Sequence, residues 1–156
     1  HPVLILMHGA GGNAYGMINQ YMDLEDYILV ALQGYDNRWN IQTESSKADD
    51  LDYIVSIIDQ LKTHSDVDAN NISLMGSSNG AAMVNRAMTE LSEGTFKNAI
   101  SLASQLTTDQ YNNNSFWGDA NGDGIYDTSY TLSPNLRALS LHGTNDTTIP
   151  YDGGHC

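Results

Sequence analysis

Cysteine and positive charge are what this sequence has least of. Its one cysteine is the final residue, Cys156, so any disulfide partner would lie outside these 156 residues. Lysine and arginine together number 6 against 19 aspartates and glutamates, a net charge of −13. So acidic a surface repels a phosphate backbone and an anionic bilayer alike. That disfavours nucleic acid and membrane surfaces as partners and favours neutral substrates, in a salty or extracellular setting. No apolar run is long enough to span a bilayer, and no signal peptide is present. Internal repeats and long low-complexity tracts are also missing.

What is there alternates. Apolar runs at residues 3–7, 27–32, 71–75, 98–103 and 136–141 are separated by helical stretches, the pattern of a mostly parallel sheet in a chain long enough for one sizeable core. Leu51, Ile54, Val55, Ile58 and Leu61 recur at helical spacing, with Ser46 as the expected N-cap, Asp49 behind it and Lys62 at the far end. Shorter helices are expected at about 15–22 and 79–91. In the second, Ala81, Ala82 and Ala87 allow a close approach to the sheet, and Met83 and Met88 fill core.

Gly76-Ser77-Ser78-Asn79-Gly80 ends the third apolar run and opens the alanine-rich helix. This is the G-x-S-x-G nucleophile elbow in its required strand-before, helix-after context, and small residues at 76 and 80 leave room for a sharply bent backbone carrying Ser78 at its apex. His8-Gly9-Ala10-Gly11-Gly12 follows the apolar Val3-Leu4-Ile5-Leu6-Met7. A glycine-rich loop there can aim amides at a developing anion, which makes the N–H groups of Ala10 (or Gly11) and of Asn79 the oxyanion-hole candidates. Leu139-Ser140-Leu141 runs into His142-Gly143-Thr144-Asn145-Asp146. Asp146 is the candidate triad acid by chain order, nucleophile before acid.

These segments, with Arg38-Trp39-Asn40, Ala48-Asp49-Asp50-Leu51, Val67-Asp68 and the string from His142 through Ile149-Pro150-Tyr151 to Gly153-Gly154, resemble secreted esterases of the polyhydroxybutyrate depolymerase and feruloyl esterase-like group of α/β-hydrolases. The resemblance implies a mostly parallel sheet with helices on both faces. It implies hydrolysis of polymer- or plant-derived carboxylic esters, small or polymeric, without a catalytic cofactor, with Ser78 as nucleophile and Asp146 as acid. It also implies a secreted protein and a wall of the site formed by Trp39. In that group the histidine lies beyond the Tyr151-x-Gly153-Gly154 segment, after a further helix and strand. The base is therefore expected after Cys156, with His155 as the fallback, and the domain, spanning 1–156, is expected to be truncated at both ends.

Residues 105–135 break the alternation with Gln, Thr, Asn, Asp and Gly, and read as a polar insertion over the active-site face. Within it Asp119, Asn121, Asp123 and Asp127 have the oxygen-ligand spacing of a calcium loop, with Gly124 at the turn. A structural Ca²⁺ is expected there, although Tyr130 replaces the usual closing acid. His8 and His142 each end a strand beside a glycine and read as hydrogen-bonding supports rather than metal ligands, and His64 as solvated. Two rival readings share these features: a peptidase of the prolyl oligopeptidase type, and a catalytically silent calcium-binding module on a hydrolase fold.

Overall fold

The computed structural model describes residues 1–42 and 44–152. Five strands form one parallel sheet: β1 (Val3–Met7), β2 (Ile28–Leu32), β3 (Ile72–Ser77), β4 (Asn98–Leu102) and a last strand, Arg137–Leu141, in the order β2-β1-β3-β4-last. Three helices accompany it: α1 (Ala14–Asn19), α2 (Asp50–Leu61) and α3 (Asn79–Glu90).

Alternation along each strand assigns the two faces. Val3, Ile5 and Met7 join Ile28, Val30, Leu32, Ile72 and Leu74 in a core packed against α2 and α3, through Ile54, Ile58, Met83, Val84 and Ala87. Leu4 and Leu6 point the other way, with Leu29, Ala31 and Met75, onto Met17 and Ile18 of α1. Helices thus cover both faces of a parallel sheet, and β1, sandwiched between β2 and β3, is apolar at every position because it is buried on both sides. The fold is that of an α/β-hydrolase.

The long helix starts one turn later than a Ser46 cap would set it. Asp49 is the N-cap, its carboxylate accepting from the Asp52 amide at 3.0 Å, while the Ser46 hydroxyl donates to Asn40 Oδ1 at 2.7 Å. Ser46 therefore fastens the preceding loop instead of the helix.

The polar stretch after β4 is also more ordered than its composition suggests. It forms a second, antiparallel sheet of β5 (Tyr111–Asn112), β6 (Ser115–Gly118) and β7 (Thr128–Tyr130), so the last strand of the main sheet is β8. These strands are too short to show alternation. They pack on the flank of α3, where a Cβ on Gly118 would lie 2.5 Å from Glu90 Cγ and 2.6 Å from the Tyr130 ring.

Candidate active site

Parallel register brings the carboxyl ends of β1, β2, β3, β4 and β8 to one edge of the sheet, and the chain reverses its winding direction between β1 and β3. A crevice at such a reversal is where open α/β sheets bind ligands. The elbow stands at the end of β3 and the His8-Gly9 loop at the end of β1, one on each side of it.

Ser78 occupies φ 54°, ψ −120°, between the last residue of β3 and the first of α3. A non-glycine residue held there stores strain on the order of 1–3 kcal/mol, which the surrounding structure must over-determine. It does so with glycine. A Cβ on Gly76 would sit 2.1 Å from the Gly80 carbonyl oxygen, and one on Gly80 would sit 2.3 Å from that of Met7. The Ser78 amide donates to Leu102 O at 2.9 Å, and its carbonyl accepts from Ala82 at 3.0 Å, so both peptide groups of the apex are fixed.

Gly9 lies against the nucleophile: a Cβ there would be 3.4 Å from Ser78 Cβ and 4.0 Å from Ser78 Oγ. Of the loop amides that follow, Gly11 donates to Asn37 O at 2.8 Å and Gly12 to Gly9 O at 3.0 Å, whereas Ala10 donates to no acceptor among the described residues. Asn79 begins α3, and an amide in the first turn of a helix has no intrahelical acceptor. Ala10 and Asn79, which follow Gly9 and Ser78 in sequence, therefore keep N–H groups without an acceptor among the described residues.

Trp39 does not line a wall. Its side chain is completely buried, contrary to the role expected for it, because the indole turns inward and donates through Nε1 to His8 O at 2.8 Å. Its backbone pairs with the Asn79 carboxamide, accepting from Nδ2 at 3.1 Å and donating to Oδ1 at 2.8 Å. The His8 ring, 5.3 Å from that of Trp39, accepts at Nε2 from the Gly34 amide at 3.1 Å, and Nδ1 faces Gly9 O at 2.8 Å. This pattern assigns the proton to Nδ1 and commits both ring nitrogens to holding the loop.

Asp146 follows β8. Its Oδ1 accepts from the amides of Thr148 at 2.8 Å and Ile149 at 2.9 Å, and these bonds, Ile149 first, hold its carboxyl below the usual range. The other oxygen is 3.7 Å from His142 Nε2, which itself donates to Ile149 O at 2.7 Å. Gln105, just past β4, donates to Tyr151 O at 2.6 Å and ties this acid-bearing loop to the neighbouring strand end. Ser78 Oγ has no hydrogen-bond partner among the described residues, His8 and His142 included. His1 and His64 lie at the opposite edge, around the start of β1 and the turn after α2. His155 and Cys156 fall outside the described residues.

The loop expected to hold calcium is organised around an arginine. Asp119, almost fully buried, accepts from the amides of Asp123 and Gly124 and meets the Arg86 guanidinium at 3.3 Å. Asn121 Oδ1 and Asp123 Oδ1 accept from amides of the same loop, and Asp127 Oδ1 accepts from Thr128 Oγ1. Among the described residues, no three His, Cys, Asp or Glu side chains are placed together to hold a metal ion. A guanidinium already supplies positive charge at Asp119, and the side-chain oxygens of Asn121 and Asp123 are engaged with amides of their own loop.

Arg86 is the residue the sequence reading passed over. It also pairs with Glu90 at 2.9 Å and donates to Asn40 O at 2.9 Å, and Asn40 in turn bonds the buried Asp50. Burial raises the carboxyls of Asp50 and Glu90 above their ordinary values, while Arg86 works in the opposite sense on both. A signal was available: Arg86 sits on the helix face that carries Met83 and Ala87, where a charge needs a partner. A cleft of about 430 Å³ opens beside this network, between Asp50, Glu90 and Asp119, and none of its lining residues comes from the elbow or the His8-Gly9 loop.

Comparison with known proteins bears on the family and the fold. The profile of the prolyl oligopeptidase family matches residues 31–155. Among solved structures, a phospholipase/carboxylesterase from Dyadobacter fermentans aligns with a TM-score of 0.50 at 16% identity, over 65% of this chain and 64% of that one. Acetyl xylan esterase 1 from a Thermoanaerobacterium species aligns with a TM-score of 0.43 at 19% identity, over 65% of this chain and 39% of that one. The chain therefore spans less than two thirds of either protein's length. No curated protein matches it.

Proposed function

We propose that this chain, which belongs to the prolyl oligopeptidase family of serine hydrolases, acts on carboxylic esters, with Ser78 as the nucleophile. The observation that carries the reading is the strained Ser78 apex, enforced by Gly76 and Gly80 and set beside Gly9. Such strain has no packing purpose, since a glycine at 78 would take the same φ without cost.

Ser78 Oγ attacks the ester carbonyl carbon as its proton passes to a histidine. The carbonyl oxygen gains the charge and is met by the amides of Ala10 and Asn79. Collapse of the adduct breaks the acyl–oxygen bond, and the departing alcohol takes the proton back from the imidazolium. Water then repeats the sequence on the acyl-serine. Asp146 orients the histidine and stabilises its cation. His8 is committed to the loop and His142 to Ile149, so the base comes from outside the described residues. Polyester and feruloyl- or acetyl-type polysaccharide esters are the substrate classes, met outside the cell. They are neutral, which suits a protein of net charge −13.

In the full-length protein, Ser78→Ala should lower kcat on a p-nitrophenyl ester by about 10⁴- to 10⁶-fold, the loss typical when a triad acts as a unit. A fluorophosphonate should label Ser78 and spare Ser77. Labelling at Ser77, or undiminished turnover by Ser78→Ala, would remove the assignment.

Family membership favours one second reading, a peptidase using the same elbow and loop. Rates on hydroxybutyrate oligomers and feruloyl esters set against a prolyl p-nitroanilide peptide separate the two. The ester reading requires the esters to win by kcat/KM.

A further inference from the structure

The two amides offered to the oxyanion come from segments far apart in sequence, the loop after β1 and the start of α3. Gly9 against Ser78 and Gly80 against the Met7 and His8 carbonyls bring the two segments together. A third segment ties them to each other by hydrogen bonds. The loop after β2 enters through Gly34, whose amide donates to His8 Nε2 at 3.1 Å, and continues through Asn37, whose carbonyl accepts from Gly11 at 2.8 Å. It ends at Trp39, whose indole donates to the His8 carbonyl while its backbone closes a two-bond pair with the Asn79 side chain. A continuous path thus runs from His8 O, through the indole and backbone of Trp39, to the Asn79 carboxamide and so to the Asn79 amide. Every bond on it lies between 2.8 and 3.1 Å, and the indole that carries it is wholly buried.

We infer that Trp39 and the side chain of Asn79 are positioning residues for the oxyanion site: together they set the separation of the Ala10 and Asn79 amides and hold both against Ser78. The inference rests on the ester-hydrolysis reading above. It also explains how one face of the helix start can be left open. The Asn79 side chain turns away to Trp39, so the Asn79 amide is neither capped nor covered by its own residue. No Ser78 side-chain cap competes for it either. The bonds that immobilise the loop consume Gly11 and Gly12 and leave Ala10 free, so the number of available donors is itself a product of the scaffold.

A misplacement of the donors by a fraction of an ångström weakens their bonds to the transition-state oxygen much more than their contacts with the flatter ground state. The expected signature is in kcat. Trp39→Phe keeps most of the buried volume and removes only the Nε1 donor. Asn79→Asp keeps an acceptor for Trp39 N and removes the donor to Trp39 O. In the full-length protein each should lower kcat on a p-nitrophenyl ester by about 10- to 100-fold, short of the loss for deleting an oxyanion donor outright, with KM within about 3-fold of wild type. A boronic acid, whose tetrahedral adduct presents an oxygen to the same amides, should lose affinity by the same factor as kcat/KM.

Trp117→Phe is the control. Trp117 lies in the small antiparallel sheet and its Nε1 has no partner among the described residues, so this exchange should leave kcat at the wild-type value. Melting temperatures identify any variant that has merely lost its fold, and Asn79→Asp, a change at a partly exposed helix end, keeps the test open if Trp39→Phe is one of them. Wild-type kcat in whichever variant folds, or boronate affinity unchanged while kcat falls, would overturn the inference and leave the esterase intact. A wild-type protein that neither turns over esters nor takes up fluorophosphonate at Ser78 would instead sink the reading beneath it.

Discussion

At Ser78 the sequence was legible because the determinants are local. Five consecutive residues carry the elbow, and the two glycines are required by overlaps with carbonyl oxygens that any side chain would meet. Gly80→Ala should therefore fail to reach the native state, or lose more than about 4 kcal/mol, because backbone of both β1 and α3 would have to move. A soluble Gly80→Ala protein with near wild-type melting temperature would contradict the packing. Trp39 was not legible, because its indole turns inward to a carbonyl at His8, 31 positions away, and no local pattern separates an indole that lines a site from one that turns inward. Asp146 yields a pH statement. Its folded carboxyl is held below the usual range by the Ile149 and Thr148 amides, so its contribution is present above the unfolded value of about 4 and disappears only as pH falls through the lower, folded one. Asp146 therefore stays anionic throughout neutral and mildly acidic pH, and the acid limb of kcat/KM should report the histidine. Asp146→Asn should cut kcat severely, by roughly 10⁴-fold as in other triads, while shifting that limb downward because the imidazolium loses its counter-charge. An acid limb that vanished in the variant, with little change in kcat, would mean that the limb belonged to Asp146 and that another carboxylate serves the base.

Among the elements, α2 and the five parallel strands followed from periodicity to within a residue or two at most ends, since apolar spacing and burial are the same fact seen twice. The small antiparallel sheet escaped for the opposite reason. Its strands are two, four and three residues long, and what orders them is a charge on another element. Arg86 projects from the middle of α3 and holds Glu90 on its own helix, Asp119 of the inserted segment and the Asn40 carbonyl of the loop that also carries Trp39. Removing it leaves buried carboxylates uncompensated, so Arg86→Met should destabilise by about 3–5 kcal/mol despite a better transfer energy for the side chain. Urea denaturation would measure this, and a loss under about 1 kcal/mol would show that the network adds little. The same pairing bears on calcium. A dication at residues 119–127 would have to displace the guanidinium from Asp119, so millimolar calcium should leave the wild-type melting temperature where chelator leaves it. A clear rise would mean that the cation does displace Arg86 and that the spacing of the loop outweighs the arrangement seen here.

At the scale of the whole molecule, cover is uneven. The α2 and α3 face of the sheet is closed, but on the other face α1 is only six residues long and packs chiefly against β1 and β2. Beyond it, among the described residues, β8 is exposed at all five positions and forms an edge of the sheet. Leu139 and Leu141, opposite Ile100 and Leu102 of β4, are each about half exposed. An edge that offers unpaired backbone groups beside two accessible leucines is a template for association. Burying a leucine side chain is worth about 1.5–3 kcal/mol, enough for weak pairing if nothing opposes it. The net charge of −13 does oppose it, and that repulsion is the term that salt removes, since the Debye length falls to about 10 Å at 0.1 M. The chain should accordingly be monodisperse in dilute buffer and associate as salt is raised, the reverse of an assembly held by ion pairs. Leu139→Lys, on the exposed face and outside both cores, should suppress the association without lowering the melting temperature. Sedimentation velocity at low and high salt decides it: one species at both would show that the edge is guarded, and dissociation on adding salt would assign the contact to charge instead of to β8.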